Sequence, residues 1–305
     1  ALWTPSTSDS CLATDHWELR VRLSLVLATV DRTDELERFL GSLEKQTHRD
    51  FELIVVDQNP EGILAPMLHA HKDSFPIVHL ARPDDRGVSK SRNAGIQQAT
   101  GELLTFPDDD CWYPPELLET VDNFMKNRPD VDTVSGRMAH GPTESEVGLK
   151  KHAEESHFLD SRLKVAQVPG PWGLFLRGPG AQEAGIFDET LGPGAGTPWG
   201  SGEDTDYYLQ VYEAGFNFFY NPAVVVYHPV ATQYYADGSD LHRSYRYGAG
   251  RTRVWKRHSL PFWYFAYEVS RSGAGSVLSL FQGQVSKAIW HWGAFRGKIR
   301  GWYSG

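Results

Sequence analysis

From residue 23 to residue 106, short β-rich apolar runs alternate with segments whose apolar residues recur at helical spacing, and this alternation constrains the fold more than any other feature. Leu23 to Val30 reads LSLVLATV and Phe51 to Val56 reads FELIVV, and both runs predict strands. Between them, residues 34–46 place apolar side chains at 36, 39, 40 and 43, the pattern of a helix with one buried face. Ile77 to Ala81 predicts a third strand, Val88 to Ala99 a helix and Glu102 to Phe106 a fourth strand. The expected class is α/β: a parallel sheet with helices on both faces. Such sheets bind ligands beyond the carboxyl ends of their strands, which directs attention to Asp31, Asp57 and the loop after Phe106.

That loop reads Phe106-Pro107-Asp108-Asp109-Asp110-Cys111-Trp112-Tyr113-Pro114-Pro115 and leads into a helix predicted over residues 115–125. Three consecutive carboxylates repel one another, so either water screens them or a divalent cation does. Asp is common in solvated turns, but the position at the ligand-binding edge of the sheet favours the cation.

Beyond Pro129 the pattern weakens. Val131 to Val134 and Trp172 to Leu176 predict strands, and a Gly/Pro-rich loop from Gly192 to Gly202 precedes a helix over Glu203 to Ala214, closed by Gly215. Glu203 and Asp204 fall in that helix's first turn, where they serve either the helix dipole or a ligand facing the glycine loop. Phe216 to Tyr220 and Ala223 to Tyr227 predict two short strands leading to His228, whose role spacing leaves open.

Charge is unevenly divided. Residues 241–305 hold eleven Lys or Arg against one acid, Glu268, a net of +10; with −9 for the whole chain, residues 1–240 carry −19. The same segment holds five of the ten tryptophans. Basic side chains among Trp, Phe and Leu suit an anionic membrane surface, or a segment that packs on the acidic body. No nucleic-acid motif accompanies the charge. No apolar run reaches the roughly 18–20 residues of a membrane span. Residues 1–22 read as a polar, poorly ordered lead-in without the layout of a secretory signal. The two cysteines, Cys11 and Cys111, form no C-x-x-C pair, which argues against a disulfide framework or zinc site and fits a reducing cytosol.

Taken in order, LVLATVDR, SLEKQTHRDFELIVVDQN, RGVSKSRNAGIQQATGELLTFPDDDCWYPPELLE, AGIFDE, GSGEDTDYYLQVYEAGF and VVVYHP resemble the family 2 glycosyltransferases, inverting, metal-dependent enzymes with the α/β GT-A fold, a Rossmann-like, mixed, mostly parallel central sheet flanked by helices. The resemblance implies a catalytic domain over residues 23–232, with a donor half to about 125 and an acceptor half from about 126, followed by a helical extension over 233–305. It implies that Asp31 and Asp57 contact the nucleobase, that Arg92 and Asp109 lie near the nucleotide, and that Asp108 meets the ribose. Asp110, with His228, would hold Mg²⁺ or Mn²⁺. Asp204 would be the general base, and Glu203 beside it a contact to the nucleotide sugar. The implied donor is a nucleotide sugar, UDP-linked in the first instance, and the implied acceptor a glycan or lipid-linked glycan, as in surface polysaccharide assembly at the cytoplasmic face of a membrane. Two motifs depart from the family pattern: ATVDR stands where Pro-Thr-x-Asn-Arg is usual, and VVDQN where Asp-Asp-Gly-Ser is common.

Competing functions fit less well. A nucleotidyltransferase would carry a Gly-rich basic loop after the first strand, where this chain has Thr29-Val30-Asp31-Arg32. No P-loop, zinc-protease or serine-hydrolase signature is present. A non-catalytic carbohydrate- or membrane-binding scaffold would have no use for the acids at 108, 110, 203 and 204.

Overall fold

The computed structural model describes residues 22–141, 155–168, 170, 173–178, 183–229 and 240–304. An eight-stranded sheet runs in the order β3-β2-β1-β4-β7-β5-β8-β6. Its first half is the predicted one: β1 (Leu23–Thr29), β2 (Phe51–Asp57), β3 (Ile77–Ala81) and β4 (Leu103–Thr105) are parallel, with β1 pairing β2 from Leu23 opposite Phe51 to Thr29 opposite Asp57. All seven residues of β2 are buried, as expected of a strand covered on both faces. Along β1, Leu23, Leu25 and Leu27 enter one core layer and Val26 the other. Helix α1 (Asp34–Leu43) buries Leu36, Phe39, Leu40 and Leu43 in the first layer. Helix α3 (Val88–Ile96) covers the opposite face; a Cβ at its Gly95 would stand 2.3 Å from Val26 Cγ1, so only glycine permits this approach.

The second half departs from expectation. A short helix α2 (Ala65–His71) follows β2 without having been anticipated. Helix α4 (Leu117–Asn127) leads to β5 (Thr133–Ala139), and β6 (His157–Phe158) and α5 (Arg162–Val165) occupy a stretch whose pattern is uninformative. Strand β7 (Leu174–Arg177) runs antiparallel between β4 and β5; Trp172, expected to open it, lies outside the described residues, as do residues 1–21 and 230–239. The two short strands expected before His228 are one, β8 (Phe218–Tyr227), whose Pro222 is accommodated where the register with β5 shifts between Ser135 and Arg137.

Helix α6 (Glu203–Glu213) carries the Glu-Asp pair. Three helices follow: α7 (Asp240–Arg257), α8 (Phe262–Phe281) and α9 (Val285–Tyr303). Helix α7 is clamped between the body and α9. On one side Gly250 lies against the backbone of Ser201, and Arg257 and His258 reach buried Asp206 at 2.9 and 3.0 Å. On the other, Gly293, Gly297 and Gly301 of α9 sit directly on the α7 backbone.

Candidate active site

Two isolated bridges fix the acidic loop. Ala28 pairs with Asp108, and Trp112 with Tyr227, so the triplet is held between the ends of β1 and β8, and His228 arrives beside it. Arg38 tightens this clamp by donating to the Asp110 carbonyl at 2.7 Å and stacking on Trp112. The loop opens onto a cavity of about 1270 Å³ lined by Asp108, Asp109, Asp110, His228, Arg92, Glu203 and Asp204, among others.

The three aspartates have different surroundings. Asp109 turns back towards β1, accepting from Thr29 Oγ1 at 2.9 Å and Arg32 Nη1 at 2.8 Å. Asp110 gives Oδ2 to Arg32 at 2.6 Å, while its buried Oδ1 accepts no well-directed hydrogen bond although His228 Nε2 lies 3.2 Å away. Burial would raise the Asp110 carboxyl, but His228 and Arg32 outweigh it and hold the group below its ordinary value. Burial raises the Asp108 carboxyl to about 7, with Arg92 opposing.

Ligand atoms of Asp108, Asp110 and His228 all lie within 4.8 Å of one another. His228 Nδ1 is placed to donate to the Pro229 carbonyl at 2.9 Å, and Nε2, which faces Asp110 Oδ1 at 3.2 Å, would offer its lone pair to a bound cation from the neutral ring. Two carboxylates and an imidazole, with one buried carboxylate oxygen unsatisfied, fit a divalent cation of the Mg²⁺ or Mn²⁺ kind.

Arg92 joins this group to the Glu-Asp pair. Its guanidinium is buried, with Nη1 2.5 Å from Asp204 Oδ1 and Nη2 3.3 Å from Asp108 Oδ1. Glu203 Oε1 lies 4.0 Å from Nη1, and Gly192 is pressed against its carboxylate, where a Cβ would stand 2.9 Å away. Burial raises the carboxyls of both Glu203 and Asp204, and Arg92 only partly offsets this. Asp204 enters the first turn of α6 through Gly202, whose φ of 96° glycine alone adopts readily.

Asp31 and Asp57 do not line the cavity. Asp31 is exposed, 3.8 Å from Arg86, in a left-handed conformation with φ 59°. Asp57 is buried, and Asn59 and His79 engage its two oxygens at 2.8 and 2.9 Å, so it braces the loop after β2. Thr29, Val30, Arg32 and Gln58 line the cavity at these strand ends instead. Arg32 and Gln58 lie within the motifs ATVDR and VVDQN, but the resemblance assigns no role to either. The cavity's far wall carried no motif signal: it is built by Arg243, Tyr247, Arg251 and Trp255 of α7 and Tyr264, Tyr267 and Arg271 of α8, and the fourfold spacing along α7 was visible, but nothing said which face it served.

Comparison with known proteins bears on the family and the fold. The family described as Glycosyl transferase family 2 matches residues 24–175. The uncharacterized glycosyltransferase YwdF of Bacillus subtilis is 27% identical over 172 residues, 55% of this chain and 62% of YwdF; the chain thus spans less than two thirds of that relative. Among solved structures, S. aureus TarS 1-349 in complex with UDP-GlcNAc is 15% identical, with a TM-score of 0.58 over 92% of this chain and 91% of that one. Mannosyltransferase PcManGT from Pyrobaculum calidifontis, in complex with GDP-Man and Mn²⁺, is 14% identical, with a TM-score of 0.58 over 94% and 88%. These structures share the fold, a mostly parallel sheet flanked by helices. The ordered motifs, the GT-A architecture and the family match together place this chain in glycosyltransferase family 2.

Proposed function

We propose that the protein moves a sugar, with inversion, from a nucleoside diphosphate sugar to a hydroxyl of a glycan or lipid-linked glycan. The observation that carries this reading is the shared guanidinium: Arg92 holds Asp108 on the donor side and Asp204 beside it in one cavity, at 3.3 and 2.5 Å. Carboxylates so close can serve one substrate pair. The donor's diphosphate lies at Asp108, Asp110 and His228, where a bound Mg²⁺ or Mn²⁺ would neutralise the charge of the departing nucleotide. Asp204 takes the acceptor's proton as the acceptor oxygen bonds to the anomeric carbon. The bond from that carbon to the phosphate oxygen breaks, and its electron pair leaves with the nucleoside diphosphate. The raised pKa of Asp204 makes it a stronger base than a free aspartate. A single displacement with one base implies inversion.

UDP-sugars are the first donors to try, and GDP-mannose the second, because the neighbours hold UDP-GlcNAc and GDP-Man. The reading places the protein at the cytoplasmic face of a membrane, touching it through α8 and α9, in surface polysaccharide assembly. No helix among the described residues is long and apolar enough to cross a membrane. The test is a panel of UDP-, GDP- and dTDP-sugars with Mn²⁺, scored for slow donor hydrolysis. Asp204→Asn should keep donor binding and lose about 10²- to 10⁴-fold in transfer. Transfer at the wild-type rate would remove Asp204 from the role of base, and inertness to the whole panel without nucleotide binding would favour a scaffold.

A further inference from the structure

Helix α7 grips the first turn of α6 on both sides of Asp204. Ahead of it, Ser201 Oγ donates to the Tyr247 carbonyl at 2.7 Å, and Gly202 lies so close to α7 that a Cβ there would stand 3.1 Å from the Gly250 carbonyl. After it, fully buried Asp206 accepts on Oδ1 from Arg257 Nη1 at 2.9 Å and from His258 Nε2 at 3.0 Å, at the C-terminal end of α7. Residues two apart stand about 200° apart around a helix, so Asp204 lines the cavity while Asp206 does not. Arg257 and His258 do not line it either.

The imidazole of His258 bridges two turns of α6. Its Nδ1 lies 3.0 Å from Glu213 Oε2 while its Nε2 meets Asp206. A neutral ring has one N–H and would turn a lone pair on one of these carboxylates, whereas an imidazolium donates to both. Charge agrees. Asp188, Asp206 and Glu213 meet Arg257 and Arg162 at 2.7 to 2.9 Å, two arginines for three acids, and the third positive charge is the imidazolium's. Although burial works the other way, hydrogen bonds to Asp206 and Glu213 keep the ring's pKa above the ordinary 6.5.

Building on the glycosyl-transfer reading, we propose that His258 is a positioning residue for the transfer base: as an imidazolium it fixes Asp206 and Glu213, and through them the turn of α6 that presents Asp204 to the acceptor. Loss of that proton loosens the turn without touching the donor.

The test is the pH profile of donor hydrolysis, with kcat and KM separated, in wild type, His258→Gln, Asp206→Asn and Glu213→Gln. Wild-type kcat should fall on the alkaline side of pH 6.5 as His258 deprotonates. Asp206→Asn and Glu213→Gln each remove a counter-charge and should move that limb to lower pH; a merely structural role would lower kcat and leave the limb in place. Glu213→Gln, whose side chain is one-third exposed, keeps the comparison if Asp206→Asn fails to fold. His258→Gln should lack the limb and show kcat about tenfold or more below wild type at about pH 6, with donor KM within about twofold. A wild type without the limb, or a limb at the same pH in wild type and the carboxylate variants, would overturn the proposal. One readout needs no turnover: the His258 ring proton resonance, assigned by its loss in His258→Gln, should titrate above pH 6.5. A protein inert to every donor but showing that titration retires the transfer reading and keeps His258 as the clamp on α6. Turnover with a ring that titrates at or below pH 6.5 retires the clamp alone.

Discussion

Arg92 Nη1 lies 2.5 Å from Asp204 Oδ1, inside a wall of carboxylates whose other arginine, Arg32, pairs with Asp109 and Asp110. The guanidinium is itself buried and faces Asp108 and Glu203 as well. Removing it would strand three buried or half-buried acids without a counter-charge. Breaking a buried ion pair from one side typically costs about 3–5 kcal/mol. Arg92→Met should therefore unfold at clearly lower denaturant concentration and lose transfer, whereas Arg92→Lys keeps the charge, loses the fork and should fall between. Denaturant melts of the two variants check this, and an Arg92→Met midpoint equal to wild type would show that the acids do not need the arginine.

Cation binding separates Asp110 from its neighbours. Its Oδ2 is committed to Arg32, but Oδ1 is buried and faces His228 Nε2. Asp110→Ala should abolish the Mn²⁺-dependent part of UDP or GDP binding, and His228→Ala should weaken it by at least about tenfold. Calorimetric titration of the nucleotide with and without Mn²⁺ is the measurement. Equal nucleotide affinity in wild type and Asp110→Ala, in both conditions, would remove the aspartate from the cation site.

His258 gives stability a pH dependence. Burial alone would pull its pKa down, but hydrogen bonds to Asp206 and Glu213, both 3.0 Å, outweigh burial and hold it above the ordinary 6.5. A histidine raised in the folded state binds its proton more tightly there than in the unfolded chain. Its stabilisation is therefore complete below pH 6.5 and is lost as pH rises through the higher folded value. The site's buried carboxyls, Asp108, Glu203 and Asp204, are also raised and push the same way. The melting temperature should fall between pH 6 and pH 8, and His258→Gln should flatten part of that fall. An identical slope in variant and wild type would assign the dependence wholly to the carboxyls.

The sequence was most legible where one rule decided the structure. Strands β1 and β2 announce themselves because both faces are buried, and the polar side chain at the second position of each apolar run, Ser24 and Glu52, is satisfied by the other, with Ser24 Oγ donating to Glu52 Oε1 at 2.6 Å. The Asp triplet, Glu203, Asp204 and His228 were found one by one, and the fold brings them to one cavity. Other features depend on partners distant in sequence. Helix α2 is seven residues long with proline in its first turn, too short for a period to emerge. Asp57 reads as a ligand-facing acid at a strand end, yet its oxygens are taken by Asn59 and His79. The Gly293, Gly297 and Gly301 spacing marks a close helix contact, but only the fold identifies α7 as the partner.

Helix α8 is inverted relative to an ordinary surface helix. Besides Phe265 it buries Glu268, Ser272, Ser276 and Ser279, while Trp263, Tyr267, Leu278 and Phe281 are 62%, 58%, 59% and 86% exposed. Helix α9 adds Val285, Ile289 and Trp292 to the outward surface, with Lys287, Arg296 and Arg300 exposed among them. Apolar surface exposed on this scale calls for a partner. The absence of any exposed acid on residues 241–304 fits the proposed anionic lipid surface as that partner; a second copy would bring like charge against like. The protein should therefore bind vesicles containing phosphatidylglycerol, but not vesicles of phosphatidylcholine alone, at low ionic strength, and salt should weaken the attachment. Replacing Leu278 and Phe281 together by serine removes two side chains worth about 1.5–3 kcal/mol each when buried, and should reduce vesicle binding at least about tenfold while leaving nucleotide affinity unchanged. Failure of the full chain to bind anionic vesicles at low salt would refute the membrane contact, and dimerisation lost in the same double variant would reassign the face to a second copy.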